Sequence, residues 1–302
     1  MWHIAAGMAS LALIAGVIFK IRRAATLPMH LRWELYPVPH EPGRARYGGS
    51  ILEEVNWWTK PRRVNHAGTL RAMMVEILSL KGIFEHNRAL WWGSFPFHWG
   101  LYILVTGLVL NVKIILADLV GLTALTAPAM ALVPVLAWLS FILGTVGGII
   151  LLGLRLTSRK MRAFNTPGHY FNLLLTLAIF ISGLIWIAGD AAWPEHACDL
   201  LTALIGFRDL PPLSAAGAWH AGLMLFFMAY FPFTHMTHAF MKFFTYHHVR
   251  WEDAPNMAGG KMQSRIERLE GQPVSWSAPH VGADGRKTWT QIVGETGEQK
   301  KS

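Results

Sequence analysis

Two histidines lie near the ends of one apolar stretch in the last third of the chain. His220 and His238 are 18 residues apart, which is five whole turns of a straight α-helix and about 27 Å along its axis. On such a helix both imidazoles would leave the same face, one in each half of a bilayer. Ionisable side chains inside a membrane helix are costly and usually functional, although interhelical hydrogen bonding is an alternative role.

A third histidine, His98, follows the start of another apolar run, Phe95–Leu116. If the two helices are antiparallel, His98 and His238 come to the same depth in the membrane. Two neutral imidazoles at one depth can bind a single heme iron axially, and a bis-histidine heme suits electron transfer because it has no open coordination site. Gly100 leaves room for a flat macrocycle close to the backbone.

The composition of the chain predicts the helices that position these histidines. The chain has 302 residues, of which 53% are hydrophobic and only 15% are charged, and that balance is too apolar for a soluble domain of this size. Five runs are long enough for a bilayer core, and none contains Asp or Glu. They are Ile4–Ile21, Phe95–Leu116, Ala129–Leu154, Tyr170–Ala188 and Ala218–Phe240. We therefore predict an all-α membrane protein, a bundle of five transmembrane helices.

The distribution of basic residues predicts the orientation of this bundle. All Lys and Arg residues except Lys113 and Arg208 fall in connections or tails on one side of the predicted spans, and that side should be cytoplasmic. The N-terminus is then periplasmic and the C-terminus cytoplasmic, as expected for a multi-pass protein of the bacterial inner membrane. The net charge of +9 is explained by this basic face and by membrane lipid, without a nucleic-acid partner.

The predicted organisation has four parts. Residues 1–21 form the first transmembrane helix, which lacks the basic start and cleavage site of a signal peptide. Residues 22–94 are a cytoplasmic insertion with an amphipathic helix near Thr69–Phe84, which either contacts a partner or covers the end of the bundle. Residues 95–240 are a four-helix membrane core, and the polar tail 241–302, with little capacity for its own core, should dock a partner.

Several cofactor classes are excluded. Cys198 is the single cysteine, so the chain can hold neither a covalent c-type heme nor an iron–sulfur cluster. Any redox cofactor of this chain must be held by histidine or by a partner subunit.

The segment from His220 to His238 resembles the last helix of the cytochrome b (gamma) subunit of membrane-bound nitrate reductases. The match includes both histidines at the same spacing and the Phe231-Pro232-Phe233-Thr234 run between them. Phe97-His98-Trp99-Gly100 resembles the second helix of that family, and residues 244–253 look more like membrane subunits that serve heterodisulfide-reductase-type proteins. The motifs extend over roughly residues 95–255.

The sequence departs from the family at one position. Ten residues after His98, where the family has a second histidine ligand, this chain has Leu108. The outer heme could be absent, leaving His220 as a quinone contact or a polar remnant. It could instead be bound by a histidine from elsewhere, or be five-coordinate. We expect an outer heme between His220 and His3, which lies at a similar depth.

The resemblance implies a b-type cytochrome subunit of a respiratory redox complex. It would hold one or two hemes b and transfer electrons between a quinone of the menaquinone type, or a periplasmic multiheme cytochrome c, and a cytoplasmic iron–sulfur subunit. His220 and Lys113 are candidates for a quinone contact. The alternatives are a heme-free membrane anchor and a histidine-containing transporter, although the chain lacks the inverted repeats typical of transporters.

Overall fold

A computed structural model describes residues 1–27, 38–41, 50, 53–61, 64–122 and 126–299. These residues form helices and one short β-hairpin, and they divide into two compact units. The first unit comprises Met1–Ile18 and Thr69–Thr237, and the second comprises Phe19–Gly68 and His238–Ser302. Much of the first half of the predicted insertion, residues 28–37 and 42–49, lies outside the described residues.

Five of the described helices are long and apolar enough to cross a bilayer, which confirms the all-α prediction and its number of spans. A bilayer core requires roughly 20 residues. Each of these helices has about that length or more, provided that the fifth is counted to Phe233. They are α1 (Trp2–Thr26), α4 (Arg88–Leu119), α5 (Thr126–Thr157), α7 (Pro167–Gly189) and α9 (Ala215–Tyr230).

Glycines let α4 and α5 pack with their backbones in contact. A Cβ atom added to Gly100 would lie 2.6 Å from the backbone nitrogen of Gly144, and Ser140 Oγ donates a hydrogen bond of 2.8 Å to the Gly100 carbonyl. Close approach at small residues is the usual way that membrane helices associate. The apolar core of the first unit surrounds this contact and includes the buried rings of Phe97, Phe141, Phe180, Trp186 and Trp193.

The fifth span differs from the prediction. Helix α9 ends at Tyr230 and is followed by a 3₁₀ turn at Phe231–Phe233, an extended Thr234 and a second 3₁₀ turn at His235–Thr237. Pro232 lies in the first of these turns, and the backbone leaves the helical conformation at Thr234. A proline alone does not end a helix in this protein, since Pro96 lies inside α4 and Pro134 inside α5. The prediction of one straight helix to Phe240, with His220 and His238 on one face, is therefore wrong.

His238 instead begins a separate helix, α10 (His238–Phe244), which belongs to the second unit and is followed by a π-helical turn at Thr245–Arg250. The break coincides with the Phe-Pro-Phe-Thr run. Phe231, the residue before the proline, keeps the right-handed helical conformation, and the chain becomes extended at Thr234.

The predicted amphipathic helix consists of two helices, α2 (His66–Ser79) and α3 (Lys81–His86). They are separated at Leu80, whose φ of 51° is left-handed, a conformation that is uncommon outside glycine and costs energy. Buried interactions around the break must therefore hold it, and Leu80 is itself buried.

The last carbonyls of α2 accept hydrogen bonds from aromatic side chains of α4. The donors are Trp91 Nε1 to Ser79 at 2.8 Å, Trp99 Nε1 to Leu78 at 3.1 Å and Tyr102 Oη to Ile77 at 3.1 Å. Terminal helix carbonyls have no partner within their own helix, so these bonds attach the end of α2 to α4. The segment was predicted either to contact a partner or to cover the end of the bundle. Its attachment to α4 agrees with the second role.

Two shorter helices connect the membrane-length ones. Helix α6 (Arg159–Phe164) lies between α5 and α7 and is capped by the Ser158 side chain. Helix α8 (Trp193–Gly206) lies between α7 and α9. It was not predicted, because the sequence indicated only a connection between two spans there. It contributes Trp193 and Leu200 to the buried residues of the first unit.

The second unit contains more order than its polar sequence indicated. Helices α11 (Lys261–Glu270) and α12 (Trp289–Gln299) flank a hairpin of β1 (Ser277–Ala278) and β2 (Ala283–Asp284). A small core contains Val274, Ala283 and Ile292. Elsewhere in this unit, His40 Nε2 lies 2.6 Å from Asp253 Oδ2 in a buried pair.

Candidate functional site

His220 is the buried histidine of the membrane core. It lies in the second turn of α9, with 7% of its surface exposed. The Phe141 ring meets it edge-on at 5.3 Å and the Trp186 ring lies 5.7 Å away. An imidazole enclosed by aromatic rings needs its polar atoms satisfied, because burying an unpaired polar group costs several kcal/mol, up to about 7.

Ser182 of α7 supplies a hydrogen-bond partner for His220. The Ser182 hydroxyl lies 3.0 Å from His220 Nδ1 and also 3.0 Å from the Ile179 carbonyl, one turn earlier in α7. The buried imidazole is therefore joined to the neighbouring helix through Nδ1. A hydrogen bond at one ring nitrogen is the usual arrangement of histidines that bind a metal or ligand through the other nitrogen.

A cavity of about 180 Å³ adjoins His220. Its walls come from α4, α5, α7, α8 and α9, and apart from His220 they are mainly apolar, with the rings of Phe141, Trp186 and Trp193 among them. Leu108 also lines this cavity.

Asn111 is a second polar group in the lining. Its side chain is buried, and Nδ2 donates to the Gly107 carbonyl at 2.9 Å. Its Oδ1 has no hydrogen-bond partner among the described residues. This oxygen is itself fully buried, and a buried amide oxygen without a partner is rare in proteins.

A carboxylate lies directly after α7, beyond the cavity wall. Asp190 accepts hydrogen bonds from His196 Nδ1 at 2.8 Å, Trp186 Nε1 at 3.1 Å and the Ala192 backbone at 3.1 Å. These bonds, that of His196 first, lower the pKa of Asp190. The Trp186 indole N–H is thereby engaged outside the cavity that its ring lines.

His98 lies in α4 and is half-buried. Its Nδ1 donates to the Ser94 carbonyl, one turn earlier, at 2.7 Å. This bond assigns the lone pair to Nε2. The predicted second ligand of the same heme, His238, heads α10 with an exposed side chain and belongs to the second unit.

His3, the predicted second ligand of an outer heme, lies at the start of α1. Its Nε2 donates to the Ala203 carbonyl of α8 at 3.3 Å, and its ring stacks on Phe207 at 5.8 Å. Among the described residues that line the cavity beside His220, His3 is not included. Lys113, considered as a quinone contact, is exposed and does not line this cavity either.

A further polar cluster joins the first turns of α7 to the end of α9. The Asn172 amide donates to His235 Nδ1 at 3.1 Å and accepts from Tyr230 Oη at 2.8 Å, and the His169 and His235 rings meet edge-on at 4.7 Å. The sequence analysis missed Asn172, as it missed Ser182 and Asn111. Each is a lone polar residue inside an apolar span, which is the signal that could have identified all three.

Within the described part of the chain, no three His, Cys, Asp or Glu side chains are grouped as ligands of one metal ion. The sites predicted here use two imidazoles rather than three, so this result does not test them. No family model matches the chain, and neither a characterised protein nor a solved structure matches it.

Proposed function

We propose that this chain is the b-type cytochrome subunit of a respiratory redox complex in a bacterial inner membrane. It passes electrons between a membrane quinone, or a periplasmic cytochrome c, and a cytoplasmic iron–sulfur subunit of the heterodisulfide-reductase type. The observation that carries the proposal is the state of His98, an imidazole in an apolar helix with Nδ1 bonded to a carbonyl and the lone pair on Nε2.

The residues fit a heme. Neutral imidazoles with the second ring nitrogen bonded to a backbone carbonyl or hydroxyl are typical iron ligands. His98 Nδ1 donates to a carbonyl, and His220 Nδ1 lies 3.0 Å from the Ser182 hydroxyl. His98 and His238 would hold the heme near the cytoplasmic side. When bound, the heme supplies a one-electron carrier. The chain contributes neutral ligands and apolar surroundings.

The cytoplasmic partner follows from charge and from the resemblance. Basic residues are concentrated in the segments before α4 and after α9, and the tail forms an ordered unit with its own small core. This combination suits docking of a soluble subunit at the cytoplasmic face. The outer heme between His220 and His3 stays a prediction.

The test is the dithionite-reduced minus oxidised spectrum of the purified chain. We expect b-type bands in the wild type and their loss in His98→Ala. His86→Ala is the matched control, because His86 makes the same bond to the carbonyl four residues earlier, at 2.9 Å, but lies outside the apolar spans. Absence of the bands in the wild type, or their survival unchanged in His98→Ala, would favour a heme-free anchor.

A further inference from the structure

Helix α2 carries an apolar face that the described part of the chain leaves exposed. Leu70, Met74 and Leu78 recur every fourth residue and therefore lie on one side of the helix. Leu70 is 62% exposed and Met74 40% exposed, and no residue of α2 is buried. The helix has 14 residues, and isolated helices shorter than about 12–15 residues are marginal in water. A contact with this face would therefore stabilise α2.

The opposite side of α2 is polar at Glu76. This residue lies two positions from both Met74 and Leu78, about 200° around the helix from each, and its carboxylate accepts the Gly82 backbone N–H of α3 at 3.1 Å. Arg71 borders the apolar face and is exposed. Arginine can lay its methylene groups along an apolar surface while its charged end stays in a polar phase. This arrangement is typical of a helix that lies in a bilayer surface.

Helix α2 meets α4 with its C-terminal end. From Thr69 onwards, α2 belongs to the same unit as α4. Its last three carbonyls accept hydrogen bonds from side chains of α4, and over their described lengths the two helices do not pack side by side. Because helix carbonyls lie nearly parallel to the helix axis, these bonds direct the axis of α2 at α4. Since α4 has the length and composition of a membrane span, a helix that meets it end-on runs along the bilayer surface.

The aromatic donors on α4 indicate the depth of this contact. Trp91 precedes the apolar run that begins at Phe95, and Trp99 and Tyr102 lie in its first turns. Trp and Tyr are enriched where a bilayer meets water, and the neighbouring Trp92 is 66% exposed. The end of α2 therefore lies where α4 enters the membrane. At that depth the apolar phase that surrounds a span is lipid.

We propose that α2 is an interfacial helix, which lies in one membrane–water boundary with Leu70, Met74 and Leu78 among the acyl chains of phospholipid. Arg71 reaches the headgroups. The apolar face is thus covered by bilayer lipid rather than by a partner protein or a second copy of the chain. The inference goes beyond the cytochrome proposal and does not depend on it, because it uses only the geometry of α2 and α4.

The test is nitroxide labelling of single cysteines in the purified full chain, reconstituted into phosphatidylcholine vesicles. Cys198 is the single native cysteine, so Cys198→Ser provides the background, and Leu70→Cys and Met74→Cys each place one label on the apolar face. Electron paramagnetic resonance measures collisions of the label with oxygen, which concentrates in acyl chains, and with a nickel chelate, which stays in water. We expect the ratio of oxygen to nickel collisions at both positions to be several-fold higher than at a position in water.

Two control positions calibrate this ratio. Lys81→Cys lies on α3, directly after the break that ends α2, where the native side chain is exposed, and it should report water. Ile142→Cys lies on the membrane-length helix α5, where the native side chain is also exposed, and it should report lipid. Labels on the apolar face that collide with the nickel chelate as often as the label at position 81 would overturn the inference.

Shielding of both face labels from both reagents would overturn it as well, because a protein surface would then cover the face. Dilution of the chain with excess lipid identifies that surface. Shielding that disappears on dilution would assign the face to a second copy of the chain, and shielding that persists would assign it to another segment of the same chain.

Discussion

Nδ1 of His220 lies 3.0 Å from Oγ of Ser182 on the neighbouring helix α7. The Ser182 hydroxyl lies at the same distance, 3.0 Å, from the Ile179 carbonyl of its own helix. One hydroxyl on α7 thus fixes a buried histidine of α9, because an imidazole enclosed by aromatic rings needs partners for its polar atoms.

Ser182→Ala should therefore destabilise the protein. The substitution removes the 3.0 Å hydrogen bond to the buried imidazole of His220, and a buried polar group that loses its partner costs about 1–3 kcal/mol. The measurement is thermal denaturation in detergent, followed by circular dichroism.

Thr176→Val is the control for Ser182→Ala. Thr176 lies on the same helix, is buried, and donates to the carbonyls of Asn172 and Leu173 within that helix. Because these bonds lie within one helix, their loss should lower the thermal midpoint less than loss of the bond between α7 and α9. Equal effects of the two substitutions would show that perturbation of α7, rather than the bond to His220, causes the destabilisation.

Replacement of His3 tests the predicted outer heme. If His220 and His3 hold that heme, the purified chain contains two hemes and His3→Ala reduces the number to one. The substitution also removes the 3.3 Å bond to Ala203 and the ring contact with Phe207. The measurement is the heme-to-protein ratio, and a ratio that His3→Ala leaves unchanged would contradict the His220–His3 site.

Asp190 gives a prediction for acid pH. Its hydrogen bonds, first that of His196, lower its pKa below the ordinary value of 3.8. A carboxyl group with a lowered pKa in the folded state stabilises that state above its unfolded pKa, and this contribution is lost as the pH falls through the folded value. The thermal midpoint should therefore decrease below about pH 4.

The variant that checks this assignment is Asp190→Asn. It should have a lower midpoint than the wild type at neutral pH and a weaker decline below about pH 4, because the titrating group is gone. Glu195→Gln is the control in the first turn of the adjacent helix. A decline in Asp190→Asn as steep as in the wild type would assign the acid sensitivity to another carboxylate.

The membrane-length helices could be predicted from sequence because their signal is local. Long apolar runs without acidic residues identify themselves, and the five observed spans overlap the five predicted ones. Their ends were less predictable. Helix α4 begins at Arg88, seven residues before the predicted Phe95, because Asn87 caps it and accepts from the Leu90 backbone at 3.1 Å.

Of the candidate site, only the histidines could be predicted from the sequence. His220 and His98 stood out as ionisable residues in apolar runs, but their hydrogen bonds depend on Ser182 and on a carbonyl one turn away. The unpaired oxygen of Asn111 and the cavity that it lines depend on the packing of five helices. Side chains distant in sequence come together there, and no pattern within one helix encodes that.

The contact between α4 and α5 gives the last prediction. A Cβ atom at Gly100 would lie 2.6 Å from the Gly144 nitrogen and 2.9 Å from the Ser140 carbonyl, and backbone atoms of a packed helix cannot move aside individually. Gly100→Ala should therefore destabilise the protein by about 1–3 kcal/mol, as overpacking of a close-packed core does. The measurement is thermal denaturation in detergent, followed by circular dichroism.

Gly153→Ala is the control for this substitution. Gly153 lies in α5, and nothing is within 4 Å of a Cβ atom added there. Because alanine is the better helix former by about 1 kcal/mol, this variant should be as stable as the wild type or slightly more so. If Gly100→Ala proves equally harmless, α4 and α5 do not pack at the glycine contact. The position of His98, half a turn from Gly100 on the same helix, would then have to be reassigned as well.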